Sequence, residues 1–297
     1  MKKLVSFVLV AAVAFACLAG CAAKDEKRLR VAGKTYTESQ LTSEIIAKLL
    51  ENAGFKMERK YDMASAICFE AMKSGEADVC PEYTGTMAGA YLNQEIEPGT
   101  SAEETYRRAK EGFEAEYGLI VLPSFGFNNT YANAVRTDYA EANGIKTNSD
   151  LAPFTKDLVY GAEHSFYDRL DGYTNMCEMY GFEFRDYKKM DVSLKQQSIK
   201  QGEIDVTNVY TTDGWLDGSG LTVLEDDLMF FPAYYCCPLV RKDVLEKYPE
   251  IESILSVLTG CCSEEDIMYY NNLVDSGKMS IEGAADQFIK DKNLIAG

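Results

Sequence analysis

One histidine, His164, and one tryptophan, Trp215, stand among 297 residues. A single imidazole leaves no Ser/His/Asp set to assemble. The chain also lacks a Gly-x-Ser-x-Gly elbow, a His-Glu-x-x-His pair and a phosphate loop. Carboxylates are plentiful, but nothing positions two of them for hydrolysis. Basic residues are scarce: 30 Lys and Arg against 47 Asp and Glu leave a net charge of −17. Nucleic-acid binders need basic stripes, so that partner is excluded, whereas a small cation is welcome. After the first residues no apolar run is long enough to span a bilayer.

What is present begins with an export pattern. Met1-Lys-Lys is followed by an apolar run from Leu4 to Phe15 and then by Leu18-Ala-Gly-Cys21. A basic start, a short apolar stretch and small residues before a cut predict a signal peptide over residues 1–20. Leu-Ala-Gly-Cys resembles a bacterial lipobox, in which the thiol of Cys21 is acylated and residues 21–27 form a tether. The expected location is outside the cell, lipid-anchored to the outer face of its membrane or facing the periplasm. Without Lys2 and Lys3 the charge becomes −19.

Seven cysteines follow Cys21, at 68, 80, 177, 236, 237, 261 and 262. An odd number with two adjacent pairs is unlike a spaced disulfide framework. Adjacent side chains on an extended segment diverge, and zinc ligands are normally spaced two to four apart. The expectation is no metal and no cofactor, with the thiols as small hydrophobes. Their redox state is not fixed by the sequence.

The chain repeats itself at an offset of 127. Lys73-Ser-Gly-Glu-Ala-Asp-Val-Cys-Pro-Glu-Tyr-Thr84 matches Lys200-Gln-Gly-Glu-Ile-Asp-Val-Thr-Asn-Val-Tyr-Thr211 at seven of twelve positions. Glu51-Asn-Ala-Gly-Phe55 and Glu178-Met-Tyr-Gly-Phe182 fall in the same register. In each unit hydrophobic periodicity predicts alternating strands and helices. In the first, a strand over 29–32 is followed by a helix to Gly54, whose Thr37-Glu-Ser-Gln40 has capping-box spacing. Strands over 55–61 and 77–80 flank a helix over 64–73. The second unit predicts strands over 157–160, 182–187 and 204–207, with a helix ending at Tyr180 and another over 193–201. Such alternation implies α/β architecture with parallel sheets. Ligands then sit beyond the carboxyl ends of the strands, where the repeat places Tyr83 and Tyr210, a few residues past each Asp-Val strand.

Five motifs resemble a known family. Pro81-Glu-Tyr-Thr-Gly-Thr86, Asn128-Asn-Thr-Tyr-Ala132, Tyr167-Asp-Arg-Leu-Asp-Gly172, Tyr210-Thr-Thr-Asp-Gly214 and Phe230-Phe-Pro-Ala-Tyr-Tyr235 are similar, in order, to those of glycine betaine/choline/carnitine-binding proteins of ABC importers. The resemblance runs from about Arg28 to the end. It implies a two-lobed periplasmic-binding-protein fold (type II-like) with two crossovers and a cleft between lobes. Lobe one would comprise 28–127 plus 231–297, and lobe two 128–230. The implied function is non-catalytic: capture of a quaternary ammonium osmolyte, glycine betaine, carnitine or choline, and delivery to a membrane permease. Partners would be that ligand, the permease and, through Cys21, the bilayer.

Carried over residue by residue, the resemblance implies an aromatic cage of Tyr83, Tyr131, Tyr210 and Tyr234. It further implies Lys34, Thr86 and Arg169 as carboxylate partners, with Asn129 lining the pocket. The residue types fit the chemistry. A trimethylammonium group has no N–H to donate, while a ring face offers apolar contact and a negative quadrupole, roughly 0.5–2 kcal/mol per ring. A carboxylate prefers a guanidinium fork. Tyr234 and Tyr235 face opposite ways on an extended segment, and the family points to Tyr234. Thr37-Glu38-Ser39 departs from the family's Thr-Glu-Gln, so the polar contact of that glutamine is expected either to be missing or to be replaced by Gln40. Asp213 is read as ordering the turn after Tyr210, and Trp215 as hinge or core. Two rival readings stand beside this one: a receptor for choline or another cation without a carboxylate, leaving Arg169 structural, and a surface enzyme acting on betaine or choline derivatives.

Overall fold

The computed structural model describes residues 27–295 apart from 164, 165, 168, 170 and 191, with the backbone alone for 192 and 193. The expected leader, Cys21, all but the last tether residue and His164 lie outside the described residues. Among the described residues ten strands form two five-stranded sheets. The first holds β1 (Arg28–Lys34), β2 (Lys56–Met63), β3 (Val79–Tyr83), β4 (Leu119–Val121) and β10 (Cys236–Arg241), in the order β2-β1-β3-β10-β4. The second holds β5 (Tyr131–Arg136), β6 (Val159–Ala162), β7 (Asp186–Lys189), β8 (Val206–Tyr210) and β9 (Leu221–Val223), in the order β7-β6-β8-β5-β9. Position for position the two orders correspond, so the repeat in the sequence is a repeat of topology, and β8 is β3 displaced by 127 residues.

Helices cover both sheets. The longer ones are α1 (Thr37–Asn52), α2 (Ser65–Ser74), α3 (Ala102–Tyr117), α4 (Tyr173–Tyr180), α5 (Val192–Gln201), α6 (Glu264–Asp275) and α7 (Ile281–Asp291). Helix α1 shows why they form where they do. Leu41, Ile45, Leu49 and Leu50 recur at helical spacing and are all buried against β1, α6 and α7, each worth roughly 1.5–3 kcal/mol. Helix α2 ends on Gly75, whose φ of 79° is a left-handed cap that only glycine adopts freely.

Three local expectations are corrected. The capping box at Thr37 does not form: Tyr36 is the N-cap residue without a side-chain bond, and Thr37 Oγ1 instead donates to Asp275. The sheets are mixed, because β10 runs antiparallel to β3 and β5 antiparallel to β8. Strands β3 and β8 also run longer than predicted, so Tyr83 and Tyr210 are their last residues. A proline normally ends a central strand, yet Pro81 pairs with Pro238 across the ladder, placing both missing N–H donors on one rung while pairing continues to Tyr83 opposite Cys236.

Two segments link the sheets, 122–130 after β4 and 224–235 after β9. They run side by side. Asn129 N–H donates to the Tyr234 carbonyl at 3.0 Å, Tyr234 N–H to Asn128 Oδ1 at 2.7 Å and Thr130 Oγ1 to the Pro232 carbonyl at 2.8 Å. Helix α6 touches the first of them and the segment after β8: Glu264 accepts from Asn128 N–H, and Asn272 Nδ2 donates to the Gly214 carbonyl.

Candidate ligand-binding cleft

A cleft of about 1200 Å³ lies between the sheets, and Lys34, Tyr83, Thr86, Asn129, Tyr131, Arg169, Tyr210 and Tyr234 all line it. Strand polarity brings them together. β1 and β3 deliver Lys34 and Tyr83 at their carboxyl ends. On the other sheet β8 ends at Tyr210 just where its antiparallel neighbour β5 begins with Tyr131.

The first wall is built on β1, β3 and α1. Lys34 Nζ lies 2.5 Å from Glu82 Oε1, with both side chains buried, and 5.4 Å from the Tyr83 ring centroid. Burial works to lower the lysine pKa, but the attraction of Glu82 outweighs it and the net shift is upward. The Tyr83 hydroxyl donates to Glu38 Oε1, fixing the ring, and Tyr36 stands 6.5 Å away. Thr86 opens a helical turn over Thr86–Tyr91 immediately after β3.

The second wall is one surface made of two rings. Tyr131 and Tyr210 are directly opposed in the ladder, with ring centroids 4.7 Å apart, an interplanar angle of 32° and hydroxyls 2.9 Å apart. That spacing is ring contact, so no methylated nitrogen fits between them. Phe166 and Phe231 back Tyr131 at 5.2 and 6.0 Å. Arg169 places its guanidinium carbon 5.3 Å from the Tyr131 centroid and pairs in parallel with Asp171 at 2.6 and 2.7 Å. The Tyr234 hydroxyl donates to Asp171 at 3.0 Å. Near this wall Lys195 is buried against the Asn208 carbonyl and pairs with the half-buried Glu163.

Tyr234 lines the cleft and Tyr235 does not. Cys236 and Cys237 enter opposite faces of the first sheet, one packing with Tyr83 and Val240, the other with Cys80 and Leu239. All seven described cysteines are free, and among the described residues none of the Cys, Asp and Glu groups is arranged to hold a metal ion. Asp213 accepts from Tyr210 N–H and from Trp215 Nε1. Trp215 packs with Leu216 and Val209 but also lines the cleft. Of the two alternatives for the absent glutamine, Gln40 does not take its place: it binds Asp62 at the surface and lies away from the cleft, because one residue beyond Ser39 on a helix turns the side chain about 100° further round.

Among the lining residues that sequence reasoning does not assign to the site are Tyr36, Glu38 and Asp171. Tyr36 and Glu38 flank Thr37, a stretch read as a cap and as a departure from the family motif, and Asp171 sits inside a quoted motif two residues after Arg169. Glu38 is 4% exposed and accepts from Tyr83, Asn129 Nδ2 and Asn271 Nδ2. Burial pushes its carboxyl pKa up, while those hydrogen bonds and one from Thr212 hold it down. No local pattern announces a carboxylate whose donors come from residues 83, 129, 212 and 271.

Residues 27–291 match the family described as the substrate binding domain of ABC-type glycine betaine transport systems. The chain belongs to this family. Its relatives include the ergothioneine transport permease/ergothioneine binding protein EgtU of Helicobacter pylori, 33% identical over 91% of this chain, which spans about half (48%) of that protein. The glycine-betaine-binding protein of Pseudomonas aeruginosa is 31% identical over 90% of this chain and 88% of its own length. A crystal structure of a glycine betaine/carnitine/choline ABC transporter superposes with a TM-score of 0.84 at 28% identity, covering 90% of this chain and 99% of the other. The fold is the two-lobed periplasmic-binding-protein type. The chain is a substrate-binding protein of ABC transport rather than an enzyme, which removes the surface-enzyme reading.

Proposed function

We propose that this chain captures a quaternary ammonium compatible solute outside the cell and hands the closed complex to a membrane permease. Lobe one would be 28–127 plus 231–297 and lobe two 128–230, with Cys21 as the lipid anchor. The observation that carries the reading is the convergence of four tyrosines and a guanidinium on one cleft from segments far apart in the chain. The tyrosine faces receive the methylated nitrogen: Tyr83 from the first sheet, the Tyr131–Tyr210 wall from the second, Tyr234 from the crossover. Lys34, Thr86, Asn129 and Arg169 receive the polar end. A ligand touching both lobes favours closure, because only the closed form offers both sets of contacts.

One observation favours a second reading. Lys34 is already paired with Glu82 and Arg169 with Asp171, so each cation faces a carboxylate of the chain itself. That suits choline or another cation without a carboxylate, with Arg169 in a structural role.

Calorimetry on a panel of glycine betaine, carnitine, choline and, prompted by the Helicobacter relative, ergothioneine separates the two. Tight binding of the carboxylated ligands, lost in Arg169→Ala far more than choline binding, supports the first reading. Choline bound tightest, with Arg169→Ala hurting all ligands alike, supports the second. A panel without any binder removes both.

A further inference from the structure

Asp171 joins the polar end of the cleft to its rings. Its carboxylate takes Nε and Nη2 of Arg169 and also the hydroxyl of Tyr234. Arg169 rides over the Tyr131 ring. One acid therefore ties a guanidinium on the second lobe to a ring delivered by the returning crossover. We infer that Asp171 is a positioning residue that sets ligand selectivity: it aims the Arg169 fork at a ligand carboxylate while holding Tyr234 against the cation end. The inference rests on the cleft being a quaternary ammonium site.

The guanidinium carries five N–H donors in one plane. Asp171 uses the Nε edge, which leaves both protons of Nη1 and the second proton of Nη2 on the far edge for a ligand. The pairing therefore orients the fork without filling it. Orientation matters because the Arg169 side chain is 40% exposed and, unheld, would sample many rotamers, whereas Asp171 is 14% exposed and held down. Gly172, next to Asp171, is closely packed. Gly172 N–H donates to the Arg169 carbonyl, and a Cβ on Gly172 would lie 2.0 Å from the Phe166 carbonyl oxygen, so residue 172 closes tightly beneath the pair. A ligand without a carboxylate does not use the far edge. Loosening the fork therefore penalises carboxylated ligands selectively, which a general weakening of the fold would not do.

The test is calorimetry with glycine betaine and choline on the wild-type chain, Asp171→Asn and Arg169→Lys. Asp171→Asn is expected to weaken glycine betaine roughly tenfold or more and choline by less than about threefold, the size of one charge-assisted hydrogen bond. Arg169→Lys keeps the charge but cannot form the two parallel bonds with Asp171, so it should show the same split and reports on the fork. Asp171→Glu, which keeps the carboxylate but moves it, decides the matter for Asp171 if Asp171→Asn does not fold, the split again being expected and equal loss or no loss overturning the inference. Equal loss for both ligands, no loss, or tighter glycine betaine binding in Asp171→Asn overturns the inference, the last by making Asp171 a competitor for the fork. If the wild-type chain binds neither compound, the reading of the cleft falls and this inference falls with it.

Discussion

Tyr131 and Tyr210 meet across two antiparallel strands with their hydroxyls 2.9 Å apart and their ring centroids 4.7 Å apart. They present one continuous aromatic surface, and on the proposed function a cation's other ring contacts come from Tyr83, Tyr36 and Tyr234, which line the same cleft. Alanine at 83, 131, 210 or 234 should each weaken binding by about 1–2 kcal/mol. Because Tyr131 and Tyr210 touch, the double variant should lose less than the sum of the single losses. Calorimetry on the four members of that cycle measures the coupling, and strict additivity would mean that the rings act independently.

Tyr83→Phe separates the ring from its hydroxyl. The face remains, so affinity should change little, but Glu38 loses its Tyr83 donor inside the protein. A buried acceptor left short costs about 1–3 kcal/mol. Chemical denaturation should show that loss, with ligand affinity retained to within about threefold. A large affinity loss without destabilisation would assign the hydroxyl to the ligand instead.

Lys34 and Glu82 are 3% and 1% exposed. Lys34→Met leaves Glu82 buried and unpaired and should destabilise by about 3–5 kcal/mol, whereas Lys34→Met with Glu82→Leu should recover most of the loss. Urea denaturation of the two variants tests this. A mild single variant would show that water reaches Glu82.

Two glycines distinguish the cleft from the seam between lobes. A Cβ on Gly85 would lie 2.7 Å from Tyr234 Cε1 and 2.9 Å from the Ala233 carbonyl oxygen, while one on Gly214 would lie 2.6 Å from the backbone nitrogen of Asn272. Gly85 has helical φ and ψ, so alanine there adds little backbone strain. Gly85→Ala should shift the Tyr234 ring and the Ala233 main chain beside it, and so weaken ligand binding as well as stability. Gly214→Ala meets main chain that has no rotamer to escape into, and should destabilise by about 1–3 kcal/mol. Melting curves and calorimetry on both variants check the contrast.

Burial pushes the thiols of Cys177 and Cys261 from 9.0 up to about 11. In the unfolded chain they ionise first, so the folded form binds more protons in that interval and stability falls as pH rises from 9.0 toward about 11. Burial raises the Tyr83 and Tyr131 phenols in the same direction. The melting temperature should therefore drop through this range, less steeply in Cys177→Ser/Cys261→Ser, and iodoacetamide should label the native thiols slowly at pH 8. Rapid labelling of the native protein would contradict the burial.

Much of the fold was legible because its signals are local. The apolar spacing of Leu41, Ile45 and Leu49 marks α1, the Gly75 stop marks the end of α2, and the 127-residue echo from Lys73 and Lys200 marks two like sheets. The strand ends were less legible. Pro81 reads as a stop until Pro238 is seen opposite it, and Thr37 reads as a cap until Asp275, 238 residues later, takes its hydroxyl.

By itself the sequence determined which residue types could reach the ends of the strands, since tyrosine after each Asp-Val pair is a matter of spacing along one segment. Only the tertiary structure decided what those residues meet. The antiparallel entry of β5 and β10 puts Tyr131 against Tyr210 and Cys236 against Tyr83, and the donors to Glu38, like the Tyr234 hydroxyl on Asp171, arrive from remote parts of the chain. Periodicity reports the side chain's face on its own element. The neighbour across a cleft is set by how two lobes pack, and no short window of sequence contains that information.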